Sequence, residues 1–255
     1  MTSSSNLEGK VALITGGSTG IGLATAQRFA QEGVRVAIAS VNVERGNAAV
    51  RTIQDSGGEA IFIATDVSDS DQVKSLVGRV VDHYGRLDFA FNNAGVSGDM
   101  GPIHASSVEN FDEIIRVNLK GVWLSMKYEI EHMIENGGGV IVNTSSTAGG
   151  RAMAGLSAYV GSKHGVNAIT QAAALEYAPA GIRVNTVMPG PVETPMLSNV
   201  REAMPGVDDQ FISMVPQGRI ADPAEIASAV VWLCSDEASF VTAANFPVDG
   251  GMLAS

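Results

Sequence analysis

The chain has 255 residues, 45% of them hydrophobic and 17% charged, with 16 Lys+Arg against 27 Asp+Glu for a net charge of −11. That is enough apolar material for a sizeable core and too little charge for a disordered chain; an acidic balance also repels phosphate backbones and argues against a nucleic-acid partner. One cysteine, Cys234, excludes an intrachain disulfide and a cysteine-based zinc cluster.

In chain order, Met1 to Lys10 is Ser-rich and polar, without the apolar centre of a signal peptide. No stretch reaches the roughly 20 apolar residues of a membrane span, so the expectation is a cytoplasmic protein with no membrane partner. Short apolar runs then predict strands over Val11–Ile14, Val34–Ala39, Ala60–Ala64, Leu87–Phe91, Val140–Val142, Ile182–Val187 and Phe246–Val248. Amphipathic stretches between them predict helices over about 20–32, 43–57, 69–84, 108–135, 157–178 and 223–234. Strands that are apolar throughout suit a parallel sheet buried on both faces. Strand–helix alternation sustained to the end predicts a doubly wound α/β fold: one domain over 1–255, a parallel seven-stranded sheet, helices on both faces and right-handed crossovers. Residues 191–219 depart from the pattern, with Pro191, Pro195, Pro205 and Pro216 among Met196, Leu197, Phe211 and Met214. Proline at that density predicts no regular helix, and the apolar content is too high for a solvated loop. The segment reads as a mobile flap over a site; the alternative is a packed irregular loop, one that buries an oligomer contact.

After the first strand comes Thr15-Gly-Gly-Ser-Thr-Gly-Ile-Gly22, opening a helix. Gly16, Gly20 and Gly22 permit a tight turn, a close backbone approach and a helix packed against the strand. The helix start then offers unpaired N–H groups to a pyrophosphate. The residue closing the second strand selects the nucleotide, because an acid there bonds a ribose 2′-OH and repels a 2′-phosphate. Here it is Ser40, small and neutral, which leaves room for a 2′-phosphate and tips the reading to NADP over NAD; no arginine follows directly, and Arg45, five residues on, also reads as a plain helix-surface charge. Asp66, at the end of the third strand, reads either as an acceptor for the adenine amino group or as a helix N-cap.

Tyr159-Val-Gly-Ser-Lys163 puts a phenol and an ammonium four residues apart on one helix face. The cation is expected to lower the tyrosine's pKa from about 10, so that the phenol passes a proton to a carbonyl oxygen as hydride arrives. Upstream, Ser146 follows the fifth strand and is placed to hold the substrate oxygen, with Ser145 as its competitor. Asn118 sits inside an otherwise apolar helix and must either bond locally or hold a water.

Taken together, the Thr-Gly-x-x-x-Gly-x-Gly turn at 15–22, Asp66, Asn92-Asn-Ala-Gly95, Asn118, Ser146, Tyr159-x-x-x-Lys163, Pro189-Gly-Pro-Val-Glu-Thr194 and Asp249-Gly-Gly251 stand in one order. In that order the chain resembles the short-chain dehydrogenase/reductase family over about residues 7 to 251. The resemblance implies a Rossmann-like fold and NAD(P)-dependent oxidoreduction of a secondary alcohol and a ketone. It implies Tyr159 as general acid/base, Lys163 on the nicotinamide ribose, Ser146 on the substrate oxygen and Asn118 beside a water of the proton relay. For the cofactor it implies Gly16, Ser18, Thr19, Gly20, Ile21, Ser40, Asp66, Val67, Asn92, Ala94, Gly95, Pro189, Gly190, Val192 and Thr194, together with Tyr159 and Lys163. It also implies a homotetramer, or a homodimer, built through helices 108–135 and 157–178 and the C-terminal segment. Three positions depart from the family pattern: Ser40 replaces the acid of NAD-preferring members, Thr19 stands where many NADP-preferring members carry a base, and Ala243 replaces a glycine.

The four histidines, His83, His104, His132 and His164, have no metal-ligand spacing, and no metal is expected. Met100, Met153, Met188 and Met196 read equally as pocket lining or core filler. Asp208-Asp209 reads as a solvated loop patch. Among substrates, a 3-oxoacyl thioester, a steroid-like ketone and a small alcohol or sugar stay open, with an apolar portion favoured by the Met/Phe-containing flap. Two other classes compete: a cofactor-independent lyase using the same tyrosine, and a non-enzymatic nucleotide-sensing protein. The intact glycine turn argues against the first, and the full Asn–Ser–Tyr–Lys set against the second.

Overall fold

Strands that are apolar at every position need a covering layer on each side, and the fold supplies two. The structure, a computed structural model, describes residues 7–255; residues 1–6, most of the polar start, lie outside the described residues. Its strands are β1 (Val11–Thr15), β2 (Arg35–Ser40), β3 (Ala60–Ala64), β4 (Phe89–Asn92), β5 (Gly139–Thr144), β6 (Ile182–Pro189) and β7 (Asn245–Val248). They form one seven-stranded sheet in the order β3-β2-β1-β4-β5-β6-β7, every pairing parallel. The doubly wound expectation holds.

The helices are α1 (Gly20–Gln31), α2 (Val43–Asp55), α3 (Ser70–Tyr84), α4 (Val108–Ile114), α5 (Gly121–Glu135), α6 (Ser157–Tyr177), α7 (Pro195–Ala203), α8 (Val207–Met214) and α9 (Pro223–Cys234). Period-two alternation divides the strand side chains between two cores. Ala12, Ile14, Val36, Ile38, Val140 and Val142 pack with Phe29 of α1, Ile53 of α2 and Val230 of α9. Val11, Leu13, Ala37, Ala39 and Ile141 pack on the opposite face with Leu76 of α3, Ile130 of α5 and Val166 of α6. Each large apolar side chain so buried contributes about 1.5–3 kcal/mol, which makes burial the main source of stability.

Local signals fix where the helices begin. Asn42 accepts from Arg45 N at 2.9 Å to start α2, and Asp69 accepts from Asp71 N at 2.9 Å to start α3. Asp222 and Glu225 form a reciprocal capping box on α9, with Pro223 in its first turn. The predicted helix 108–135 is continuous but not uniform: Ile115–Lys120 widens into a π-helical stretch between α4 and α5. Such local widening is rare and is frequent at functional sites.

Two sequence expectations need correction. The 191–219 segment is not irregular, because it contains α7 and α8. Pro195 occupies the first turn of α7, where its missing N–H costs nothing, Pro205 lies between the two helices and Pro216 follows the second. Asp208-Asp209 is not a loop patch but the first turn of α8, where carboxylates suit the helix dipole. At Ala243 the chain keeps the conformation expected of glycine, with φ at +61°. A Cβ in that left-handed region costs roughly 1–2 kcal/mol.

Candidate active site

Strand order runs outward from β1 in both directions, and a crevice opens at such a reversal beyond the C-terminal strand ends. The glycine turn fills its floor. A Cβ on Gly16, whose φ is +64°, would meet Ala94 Cα and N at 2.9 Å, and one on Gly20 would meet Thr194 Cγ2 at 3.1 Å. A Cβ on Gly22 would stand 2.3 Å from the Gly16 carbonyl oxygen. The sequence-predicted residues Ala94 and Thr194 are thus brought against the turn by the absence of glycine side chains. Thr19 precedes α1 without capping it through its side chain, and no acid stands in the first turn. Main-chain N–H groups at that end remain available to an anion, and the positive end of the helix dipole points the same way.

At the second strand end, Thr65 N donates to Ser40 O at 3.0 Å, which places Ser40 and Asp66 on one rim. Asp66 is not the N-cap of α3; Asp69 takes that place. Instead Asp66 accepts from Ser68 N at 2.9 Å and pairs with Arg116 at 3.1 Å. Val67 turns its side chain inward, packing with Val73 and Leu124. Ile21 and Val192 belong instead to the core that holds Phe29 and Val230, and a Cβ on Gly190 would meet Asp249 Cα at 3.0 Å. Gly190 therefore brings the loop after Pro189 close against the chain after β7.

Asn92 is corrected. It was expected along the cofactor's path, but it continues the alternation of Ala90 and faces α5, 1% exposed. Asn93, on the opposite side, faces the glycine turn. Its Nδ2 donates to Gly16 O at 3.3 Å, and its main-chain N–H donates to Thr15 Oγ1 at 3.1 Å. Alternation from Phe89 and Phe91 was the signal that distinguishes the two.

The same rule separates the two serines. Ser145 continues the face of Ile141 and Asn143, is buried, and donates to Lys163 O at 3.1 Å. Ser146 turns toward the crevice and beside the Tyr159 phenol, while its oxygen accepts from Ala148 N at 3.1 Å. Asn118, fully buried in the π-helical stretch, bonds across the fold rather than locally: Oδ1 accepts from Val96 N at 2.8 Å and Nδ2 donates to Val96 O at 2.9 Å. Nδ2 also reaches Ser162 Oγ at 3.3 Å, and Ser162 donates to Tyr159 O at 2.7 Å. Ser162, unremarked in the sequence, thereby ties the loop at Val96 to the first turn of α6.

Lys163 is 4% exposed, and its Nζ donates to Thr144 O at 2.8 Å while lying 5.6 Å from the Tyr159 ring centroid. Burial pushes its pKa down to about 8. Burial also pushes the Tyr159 phenol above its ordinary value of 10, with the Ser146 hydroxyl pulling the other way. The expected lowering by Lys163 is not found, because the ammonium bonds a carbonyl and lies over the ring rather than at the hydroxyl. A Cβ on Gly95 would stand 3.2 Å from Asn118 Oδ1 and 3.8 Å from Lys163 Nζ. Its absence keeps open a space bordered by the amide and the ammonium, in which the ribose of a dinucleotide would fit if its phosphates were held at α1.

A narrow cleft beside the phenol is lined by Ser97, Asp99, Asn110, Leu156 and Ala158. Met188 is 3% exposed and belongs to the core, whereas Met100 and Met196 are exposed. The larger groove, about 450 Å³, lies elsewhere, between α5 and α6. Among the described residues no group of His, Cys, Asp and Glu is arranged to hold a metal, and no helix is long and apolar enough to cross a membrane.

A family model described as enoyl-(acyl carrier protein) reductase matches residues 16–253. Cyclohexanol dehydrogenase of Acinetobacter sp. (strain SE19) is 41% identical over 247 residues, covering 97% of this chain and 96% of that protein. A crystal structure of levodione reductase superposes with a TM-score of 0.94 at 37% identity, over 97% of this chain and 99% of that one. A 3-ketoacyl-(acyl-carrier-protein) reductase from Brucella melitensis, solved with NADH, gives a TM-score of 0.91 at 36% identity, over 97% and 100%. An actinorhodin polyketide ketoreductase variant, solved with NADPH, gives 0.93 at 36%, over 96% and 98%. With the glycine turn, the Tyr-x-x-x-Lys helix and the serine beside it in one crevice, this chain belongs to the short-chain dehydrogenase/reductase family.

Proposed function

We propose that the chain interconverts a ketone on an apolar, alicyclic framework and its secondary alcohol, with Tyr159 as the proton donor and acceptor. The convergence of Tyr159, Ser146 and Lys163 on the crevice that holds the glycine turn carries this reading. A reduced nicotinamide bound there supplies hydride to the carbonyl carbon. Tyr159 Oη gives its proton to the carbonyl oxygen in the same step, and Ser146 orients that oxygen by a hydrogen bond. In the reverse direction the phenolate takes the alcohol proton. Lys163, held by Thr144 O beside the ring, would orient the ribose, and the Ser146 hydroxyl is the group that favours the phenolate as it forms. Asn118 holds Val96 by both main-chain groups and so keeps the loop after β4 in place.

The relatives named for cyclohexanol and levodione support an alicyclic substrate, as does the exposure of Met100 and Met196. NADP is the reading for the cofactor. Ser40 is neutral, its hydroxyl is engaged only with Asn42 O at 3.4 Å, and Arg45 stands in the first turn of α2. Segment 191–219 serves as the substrate flap of a single domain. A homotetramer built through α5 and α6 is supported by Trp123, Ile134 and Leu175, all about half exposed or more on those helices; sedimentation of the full chain reads the assembly.

The test is a panel of cyclohexanone, a 3-oxoacyl thioester and acetone, assayed with NADPH and with NADH. Cyclohexanone with NADPH is expected to turn over best. Tyr159→Phe is expected to lose about a thousandfold or more in kcat while binding dinucleotide as before. Near-full activity in that variant removes Tyr159 from the mechanism.

A further inference from the structure

Beneath the crevice, on the α5/α6 side of the sheet, lies a polar cluster for which the proton chemistry has no use. Glu129, Asn143 and Thr170 are fully buried, and Asn92 is nearly so. Asn92 Nδ2 donates to Glu129 Oε2 at 2.9 Å and to Asn143 Oδ1 at 3.0 Å. Asn143 Nδ2 donates to Thr170 Oγ1 at 2.8 Å. Asn92 and Asn143 are partners in the β4–β5 register. Their successors, Asn93 and Thr144, turn to the other face, where Thr144 Oγ1 donates to Asn93 Oδ1 at 3.3 Å. Thr144 O is the acceptor of the Lys163 ammonium. Thr170 follows Lys163 by seven residues, two helical turns, on the same side of α6. The cluster therefore grips both strand ends that carry the crevice, and the helix between them and Tyr159.

Its hydrogen-bond arithmetic indicates which form of Glu129 belongs there. Both amide hydrogens of Asn92 are used, and no cation pairs with the carboxyl among the described residues. Glu129 Oε1 and Asn92 Oδ1 are buried acceptors without a partner among the described residues, and Ser125 Oγ, one turn earlier on α5, is likewise unpaired. An ionised carboxylate would rest on one donor. A carboxylic acid carries an O–H of its own, the donor that the two acceptors lack. Burial accordingly raises Glu129 to about 7 from an ordinary 4.5.

We infer that Glu129 is a positioning residue: as a neutral acid bonded to Asn92 it fixes the ends of β4 and β5, and through them the dinucleotide-facing loop 93–96 and Lys163. This rests on the dinucleotide-binding reading above, and one experiment separates the two. Full-length protein is titrated with NADPH and with NADH by nicotinamide fluorescence, alongside thermal melts. A wild-type chain that binds neither dinucleotide overturns the binding reading and, with it, the inference. With wild-type binding in hand, Glu129→Leu is expected to raise Kd about tenfold, since it strands a buried amide. Glu129→Gln, which keeps a carbonyl for Asn92 and offers an N–H in place of the O–H, is expected to stay within about twofold. A Glu129→Leu chain that melts lower yet binds dinucleotide like wild type makes the cluster mere packing and overturns the inference. So does a Glu129→Gln chain as weak as Glu129→Leu, because an ionised carboxylate is then what the site needs. If Glu129→Leu does not fold, Thr170→Val removes the Asn143 acceptor at nearly constant volume; about a threefold rise in Kd supports the inference, and wild-type Kd overturns it.

Discussion

The inner and outer walls of the crevice are held by different forces. The inner wall comprises the ends of β1, β4 and β5 and the start of α6. There Asn118, Ser145 and Lys163 are all but closed to solvent, and each is tied to a main-chain group: Val96, Lys163 O and Thr144 O. The outer wall is segment 191–219, the proposed flap, fastened by Arg201 between Glu193 and Asp208, three side chains 32–53% exposed. Buried bonds to the backbone are indifferent to salt and expensive to leave unmade, whereas an exposed ion pair contributes about 1 kcal/mol at most and is screened. The division suits a wall that must hold reacting groups still and another that must admit the substrate.

The inner wall should break hardest. Gly22→Ala puts a Cβ 2.3 Å from a main-chain oxygen and 2.8 Å from Asn93 Nδ2, with no flexible side chain able to yield to the first. Dinucleotide affinity is expected to fall about a thousandfold, roughly 4 kcal/mol, with a lower Tm. Gly78→Ala on α3 is the control. Its Cβ meets nothing within 4 Å, and the change should stabilise the chain by about 1 kcal/mol. Equal melting points for the two variants would show that the turn is looser than its contacts imply.

A second test uses pH on the polar cluster that supports the inner wall. Folding raises the Glu129 pKa from 4.5 to about 7, so between those values the native chain keeps a proton that the unfolded chain gives up. The stability this group contributes is present in full below 4.5 and is lost as pH rises through 7. Between pH 5 and 7 the loss should be about 2 kcal/mol, at 1.4 kcal/mol per pH unit less some solvent relaxation. Glu129→Gln cannot ionise, and its calorimetric Tm should decline less over that interval than wild type. Parallel curves would mean that Glu129 is already charged at pH 5.

Much of this was legible in the sequence, and what was not has identifiable physical causes. Strands apolar along most of their length announced a sheet covered by helices on both faces, and the glycine turn, Ser146 and Tyr159-x-x-x-Lys163 fell where the crevice opens. The choice of Asn93 over Asn92 was also written there, in the alternation of Phe89, Ala90 and Phe91, but a motif read as a block conceals it. Three features were beyond reach. The prolines of 191–219 mark helix starts and stops as readily as loops, so α7 and α8 were hidden. Glu129 looks like any surface carboxylate on a helix that also carries Lys127, Glu131 and Glu135; only the widened turn at Ile115–Lys120 and the packing of α5 on the sheet reveal that it points inward. The pairing of Lys163 with Thr144 O likewise belongs to tertiary structure, and it is why a spacing argument misjudged the direction in which Tyr159 is pushed.

The outer wall should yield most gently. Arg201→Ala removes both ion pairs made by Arg201 while leaving Arg219–Glu225 and Thr194, whose hydroxyl caps α7 by accepting from Leu197 N at 3.3 Å and whose methyl lies over Gly20. Substrate KM is expected to rise about threefold, under 1 kcal/mol, with dinucleotide Kd and Tm close to wild type. Salt should reproduce the effect: at about 1 M the screening length is near 3 Å, so wild-type KM should approach that of the variant, and the variant should be nearly insensitive to salt. If Arg201→Ala instead weakens dinucleotide binding as Gly22→Ala does, the clasp reaches the glycine turn through Glu193 and Thr194, and the two walls are mechanically one.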